Sequence, residues 1–78
     1  PSQVNIFPNP SNGIFTIRVN LNLKNAQLQI SDVIGQEIYQ SAITNTHSSI
    51  NLSTHPKGIY LLNITFDEGV INKKIVIK

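Results

Sequence analysis

Apolar and polar residues alternate along most of the chain, which is the pattern of β-strands with one buried face. The clearest case is residues 58–66, where four alternate positions are apolar, namely Tyr60, Leu62, Ile64 and Phe66. The opposite face of this segment carries two aliphatic and two polar residues. A strand that is apolar on one face and half apolar on the other is predicted to lie in the interior of a sheet, with a neighbour on each edge.

Six further segments show the same alternation, and turn-forming residues separate them. They are predicted as strands at residues 4–6, 14–19 (continued in parity by Leu21 and Leu23), 26–31, 36–43, 49–52 and 70–77. The last one is predicted to pair back on residues 58–66 through a hairpin at Asp67-Glu68. No window of ten or more residues has a helical period. About seven strands with turns every 8–12 residues predict an all-β sandwich.

The turns contain residues that restrict the backbone. Pro8 and Pro10 end the first strand, because each proline lacks a backbone donor and holds φ near about −65°. Gly13 follows in a turn suited to positive φ. In the turn from Asp32 to Gly35, the carboxylate is predicted to accept a hydrogen bond from the backbone two residues on, and the glycine to take a positive φ.

Composition narrows the range of possible functions. A chain of 78 residues forms a single domain, residues 1–78, and a stability of about 5 kcal/mol is expected at this size. The absence of cysteine excludes disulfides and thiolate chemistry, and two histidines alone do not predict structural zinc. No apolar run is long enough to span a membrane. The net charge of +2 is scattered, which argues against nucleic acid as a partner.

The chain begins at Pro1, contains no methionine and shows no signal peptide. We therefore expect it to be a fragment of a longer protein, although removal of an initiator methionine before Pro1 would give the same start.

Candidate catalytic groups are few. The carboxylates are Asp32, Glu37, Asp67 and Glu68, and nothing in their spacing predicts that two of them converge across a cleft. His47 and His55 are expected in solvated polar loops. No nucleophile elbow and no glycine-rich loop before a helix is present. The sequence therefore predicts a protein with no catalytic residues, no metal site and no cofactor.

A sandwich that binds glycans would use exposed aromatic side chains to stack on sugar rings. The chain has no tryptophan, and only Tyr39 and Phe7 lie outside the predicted core pattern. This gives thin support to the alternative function, a binding module for glycan or protein adhesion attached to a secreted enzyme.

Three motifs occur in a characteristic order. Phe7-Pro8-Asn9-Pro10 with Gly13 comes first, Asp32-Val33-Ile34-Gly35 between two strands comes second, and Pro56-Lys57-Gly58-Ile59-Tyr60 comes third, followed by the tail 73–78. In this order they resemble the C-terminal sorting domain of the type IX secretion system of certain Gram-negative bacteria (the type A family). The resemblance covers essentially the whole chain, and Gln36 departs from it, since the family often has a basic residue there.

The resemblance implies a seven-stranded immunoglobulin-like antiparallel β-sandwich without catalytic activity, joined to an N-terminal cargo domain in the same chain. It also implies that the outer-membrane type IX translocon recognises the domain after export to the periplasm. A sortase-like cysteine peptidase then removes it, and the cargo is released or joined to anionic lipopolysaccharide. The expected locations are the periplasm in transit, then the cell surface or the medium.

The candidate recognition residues are shape-defining turn residues and the cations of the last strand. Rigid turns present a fixed shape to a receptor at a small ordering cost, lysines protect a sheet edge from aggregation, and the same edge could accept a partner strand. A role in folding alone remains open for each turn residue. The set is Pro8, Asn9, Pro10, Gly13, Asp32, Gly35, Gly58, Tyr60, Lys73, Lys74 and Lys78.

Overall fold

The computed structural model describes residues 4–19 and 25–78 and shows seven strands there. They are β1 (Val4–Phe7), β2 (Ile14–Val19), β3 (Gln27–Asp32), β4 (Glu37–Ala42), β5 (His47–Asn51), β6 (Gly58–Phe66) and β7 (Gly69–Ile77). The described residues contain no helix, and accordingly none that is long and apolar enough to cross a membrane. The predicted continuation of β2 through Leu21 and Leu23 lies outside the described residues. The all-β prediction is confirmed.

The strands form two antiparallel sheets, with orders β1-β2-β5 and β4-β3-β6-β7. β6 is an interior strand that pairs with β3 on one edge and β7 on the other. Tyr60, Leu62 and Ile64 are buried, whereas Ile59 and Leu61 on the opposite face are exposed. The position predicted for this segment from its two unequal faces is therefore confirmed.

The core lies between the two sheets, as in an immunoglobulin-like sandwich. Each sheet contributes its alternate positions, because successive side chains of a strand point to opposite faces. The largest fully buried side chains come from both sheets and from the loop after β5, and they are Phe15, Ile17, Leu28, Ile30, Ile50, Leu52, Leu62, Ile64, Ile75 and Val4.

β5 begins earlier than its hydrophobic pattern indicates. Its first residues pair with β2 as Arg18↔His47 and Ile17↔Ser48, although the side chains of this part of β5 are polar. Backbone pairing does not require an apolar side chain, so the ladder continues beyond the hydrophobic stretch. The prediction that His47 lies in a loop is therefore wrong, while His55 lies between β5 and β6 as expected.

After β1 the chain leaves the first sheet and crosses to the second. The Phe7-Pro8 and Asn9-Pro10 peptide bonds are cis, and Ser11 then forms a parallel bridge with Ile77 of β7. Residues 8–11 therefore connect the two sheets along one side of the sandwich.

Candidate recognition surface

Residues 9–11 lie along the outer edge of β7 and are bonded to it at four points. The Asn9 side chain donates from Nδ2 to the Lys74 carbonyl at 3.0 Å, and its Oδ1 accepts from the Val76 amide at 3.0 Å. The Ser11 amide donates to the Val76 carbonyl at 3.0 Å, and the Lys78 amide donates to the Ser11 carbonyl at 2.8 Å. We call this arrangement of residues 9–11 and 74–78 the clasp.

The chemistry of the Pro-Asn-Pro motif explains the clasp. Pro8 and Pro10 cannot donate backbone hydrogen bonds to a neighbouring strand. The side-chain amide of Asn9 carries the same donor and acceptor groups as a peptide unit, so it makes the two bonds that a strand residue would make. The prolines thus restrict the path of the chain while the asparagine between them supplies the bonds to β7.

Asp32 closes the turn between β3 and β4. Its Oδ1 accepts from the amides of Ile34 at 3.1 Å and Gln36 at 2.9 Å. The Gly35 amide donates to the Asp32 carbonyl at 3.0 Å, and Gly35 has a φ of 92°, which a residue with a Cβ adopts at a cost. Both predictions for this turn are confirmed, because the bonds are local and follow from the residue types.

Tyr60 anchors the loop before β6. Its ring is buried and its hydroxyl donates to the carbonyl of Pro56. A tyrosine that bonds to the backbone a few residues upstream is also found at the tyrosine corner of immunoglobulin sandwiches. Gly58 lies between the two bonded residues with a φ of 147°. These residues fix the path by which the chain enters the central strand.

The Asp32 turn and the loop anchored by Tyr60 border a recess of about 450 Å³ at the end of the sheet where β6 begins. Asp32, Gly58 and Tyr60 of the candidate set line it, and Gly35 lies in the same turn. The second and third sequence motifs therefore meet at one place, although about 20 residues separate them along the chain.

Gly13 belongs to neither the clasp nor the recess. Its φ is 111°, and a Cβ added to it would lie 2.8 Å from the Cα of Ser53. The carbonyl of Gly13 accepts from the Leu52 amide at 2.7 Å. This glycine allows close contact between the start of β2 and the loop after β5, so its position is explained by packing.

β7 is an edge strand, as its lysines led us to expect. Lys74 and Lys78 are exposed and Lys73 is half-buried. The edge of β7 beside residues 74–78, however, carries the clasp. A partner strand could pair with this part of the edge only after the clasp opens.

Two features of this surface were missed from the sequence. Ser11 is buried and accepts from the Gly13 amide through Oγ at 3.2 Å, while its backbone bonds to Val76 and Lys78 place it in the clasp. Val33 and Ile34 project from the Asp32 turn and are strongly exposed. The sequence alone could have indicated these two residues, because β-branched aliphatic residues are unusual at the centre of a tight turn.

The described part of the chain offers little for other chemistry. Residues 4–19 and 25–78 contain no group of three or more side chains that could hold a metal ion. Of the two aromatic residues available to the glycan alternative, Phe7 is exposed, whereas Tyr39 is half-buried and packs against the core. Its ring therefore does not stand free as a stacking platform.

Comparison with known proteins gives two matches. The family model described as "Secretion system C-terminal sorting domain" matches residues 5–78. The chain is also similar to a protein from Formosa agariphila named "Endo-acting ulvan lyase", with 30% identity over 79 residues. That match covers 99% of this chain but spans only 15% of the length of the lyase.

Proposed function

This chain belongs to the family of type IX secretion system C-terminal sorting domains, and on that premise we propose that the outer-membrane translocon recognises it as a folded sandwich. A sorting domain is a targeting signal on a secreted protein and not an enzyme. We further propose that a sortase-like cysteine peptidase removes the domain after translocation, and that the cargo then remains at the cell surface or enters the medium.

The observation that carries the proposal is the clasp. It joins the Pro-Asn-Pro motif near the start of the chain to the lysine-containing tail at its end, through bonds between residues 65 and 67 positions apart. Segments that are distant in sequence thus lie together on one side of the folded domain. The clasp bonds require the folded domain, so a receptor whose docking surface depends on the clasp distinguishes a folded sorting domain from an unfolded chain.

The cargo is proposed to be a separate domain of the same protein. In the Formosa agariphila lyase, the similar region is a small share of the protein, so most of that protein lies outside the match. By analogy, the cargo of this chain supplies the activity and the sorting domain supplies the destination.

The proposal is tested by fusing residues 1–78 to the C-terminus of a periplasmic reporter in a bacterium with a type IX system. We expect the reporter at the cell surface or in the medium, and in the periplasm of an otherwise identical strain that lacks the translocon. If the peptidase acts, the exported reporter loses nearly the 8.6 kDa of the domain and keeps this mass in a peptidase-deficient strain. Equal export with and without the translocon would contradict the proposal.

Deleting residues 73–78 is expected to hold the reporter in the periplasm. The deletion also removes Ile75 and Ile77 from the core, so it tests the need for a folded domain together with the need for the tail. The double substitution Lys74→Gln and Lys78→Gln leaves the core intact and tests the exposed cations alone. Unchanged export after the deletion would show that the translocon does not require the folded tail.

A further inference from the structure

One end of the sandwich exposes aliphatic side chains that the core does not use. Val33 and Ile34, at the tip of the Asp32 turn, are 68% and 83% exposed. Ile59 and Leu61 lie on the outer face of β6 near its start and are also exposed. Val33 and Ile59 border the same recess, Ile34 follows Val33 in the turn, and Leu61 lies two residues beyond Ile59 on the same face of β6. We call these four residues the aliphatic end.

The fold does not require aliphatic residues at the tip. The geometry of the turn is maintained by Asp32 and by the positive φ of Gly35, and polar residues are favoured at the two intervening positions of such a turn. A contiguous exposed apolar patch on a small soluble domain marks an interaction site. The tip is therefore best explained by a contact with another molecule.

The shape of this end favours a protein as that molecule. A protruding tip lies beside a recess of about 450 Å³, and a protein surface can fill the recess while receiving the tip, with the close complementarity of a protein interface. The surface of a bilayer would accept the tip but has no fixed side chains to occupy the recess.

The charges around the aliphatic end indicate the character of the partner. Lys57 borders the recess, Lys74 lies opposite Leu61 across the β6–β7 pair, and Lys78 follows the residue paired with Gly58. The described side-chain carboxylates of this end are Asp32, which accepts two amide bonds in its turn, and Glu37, which is exposed.

Among the described residues, three lysines and two side-chain carboxylates therefore lie at this end. The other acidic side chains, Asp67 and Glu68, lie at the hairpin beyond the opposite end of β6. Such a surface is complementary to one with acidic side chains at its rim.

We propose that the aliphatic end is the docking surface of this domain, and that its occupant is an apolar groove with an acidic rim on a protein of the export machinery. Val33 and Ile34 insert into the groove, while the surrounding lysines face its rim. This inference rests on the proposed function. The Pro-Asn-Pro motif acts through the clasp, which holds β7 in place beside this end, and does not itself contact the groove.

The test uses the reporter fusion with the double substitution Val33→Thr and Ile34→Thr. The matched control is Val70→Thr, which changes an exposed valine on β7 that pairs with Thr65 near the Asp67–Glu68 hairpin. We expect the double variant to reduce export about tenfold or more, as the loss of an interface hot spot does, and the control to export like wild type. The purified double variant should melt near the wild-type temperature, because exposed substitutions change stability little.

A second pair of variants remains informative if the double variant folds poorly. Ile34→Glu and Ile34→Lys place opposite charges at the most exposed position, and the acidic rim predicts weaker export for the glutamate variant. Equal export by both variants and wild type would overturn the inference.

The outcomes separate this inference from the proposed function. If the wild-type tail is not exported by the translocon, the proposed function fails. If the wild-type tail is exported and the double variant is exported equally well, the docking inference is overturned and the proposed function stands. Co-sedimentation of the wild-type domain, but not of the double variant, with phosphatidylglycerol vesicles would also overturn it in favour of a membrane contact.

Discussion

Replacing Asn9 with alanine should destabilise the domain, because the substitution removes both side-chain bonds of the clasp. The amide group of Asn9 bonds to the Lys74 carbonyl and the Val76 amide, each at 3.0 Å. The bonds between Ser11 and β7 remain. The change therefore affects the clasp at one end while the core between the two sheets is untouched.

The expected loss follows from the exposure of these bonds. A typical intramolecular hydrogen bond contributes about 0.5–1.5 kcal/mol net. Because both bonds are exposed, water can replace the lost partners and no burial penalty is added. We expect a loss of about 1–2 kcal/mol in the free energy of unfolding, a substantial part of the about 5 kcal/mol expected for such a domain.

Urea denaturation followed by far-UV circular dichroism measures this loss. With a denaturant dependence of about 1 kcal/mol per molar urea for a small domain, the midpoint should fall by about 1–2 M. Asn45→Ala is the matched control, since it truncates an exposed asparagine in the loop between β4 and β5. It should shift the midpoint by less than the equivalent of about 0.5 kcal/mol.

Amide hydrogen exchange locates the effect. The Val76 amide loses its acceptor in Asn9→Ala and should exchange faster, while amides in the middle of β6 should change only as much as global stability does. If Asn9→Ala and Asn45→Ala unfold at the same urea concentration, and the Val76 amide keeps its wild-type exchange rate, the side chain of Asn9 does not hold the edge of β7 and the reasoning about the clasp is wrong.

Three further substitutions have distinct expected results. Gly13→Ala should lower stability by about 2 kcal/mol or more in a thermal melt, because its Cβ would lie 2.8 Å from a backbone atom and the positive φ adds a further cost. Gly35→Ala has open space around the new Cβ and should cost only about 1 kcal/mol, from the positive φ alone. Equal losses in the two variants would contradict the packing argument for Gly13. Tyr60→Phe should cost about 1 kcal/mol in urea denaturation by removing its hydroxyl bond, and an unchanged midpoint would mean that the bond does not anchor the loop. In the same assay Asp32→Ala should lose about 1–2 kcal/mol because two amides lose their acceptor, whereas Asp32→Asn keeps an acceptor oxygen and should lose less.

The alternation of side chains predicted the sheets well, because burial on one face of a strand is a local and periodic property. β6 and its place in the interior of the sheet followed directly from its two unequal faces. The Asp32 turn could be predicted equally well, since the carboxylate and the amides that it accepts from are at most four residues apart. The start of β5 was missed because polar residues extend its backbone pairing with β2.

The clasp could not be predicted in this way. Its bonds join residues 65 and 67 positions apart, and a side-chain amide that bonds to a strand edge leaves no periodic signal in the sequence. The sequence showed that Pro8 and Pro10 could not continue a ladder. It did not show that the asparagine between them makes two bonds to another strand. The recess is a further case, because it depends on how two loops meet across the sheet.

The structure divides the candidate recognition residues and their neighbours by what they do in the fold. Asn9, Gly13 and Tyr60 are engaged in bonds or close packing within the domain, whereas the side chains of Val33 and Ile34 are exposed. Substitutions in the first group should therefore reduce export in proportion to the stability that they remove. Substitutions in the second group should reduce export at unchanged stability. An Asn9 variant could instead lose export while its stability equals that of the wild type. This result would mean that the receptor contacts the Pro-Asn-Pro motif directly, and the distinction between residues that stabilise the fold and residues that contact the receptor would be wrong.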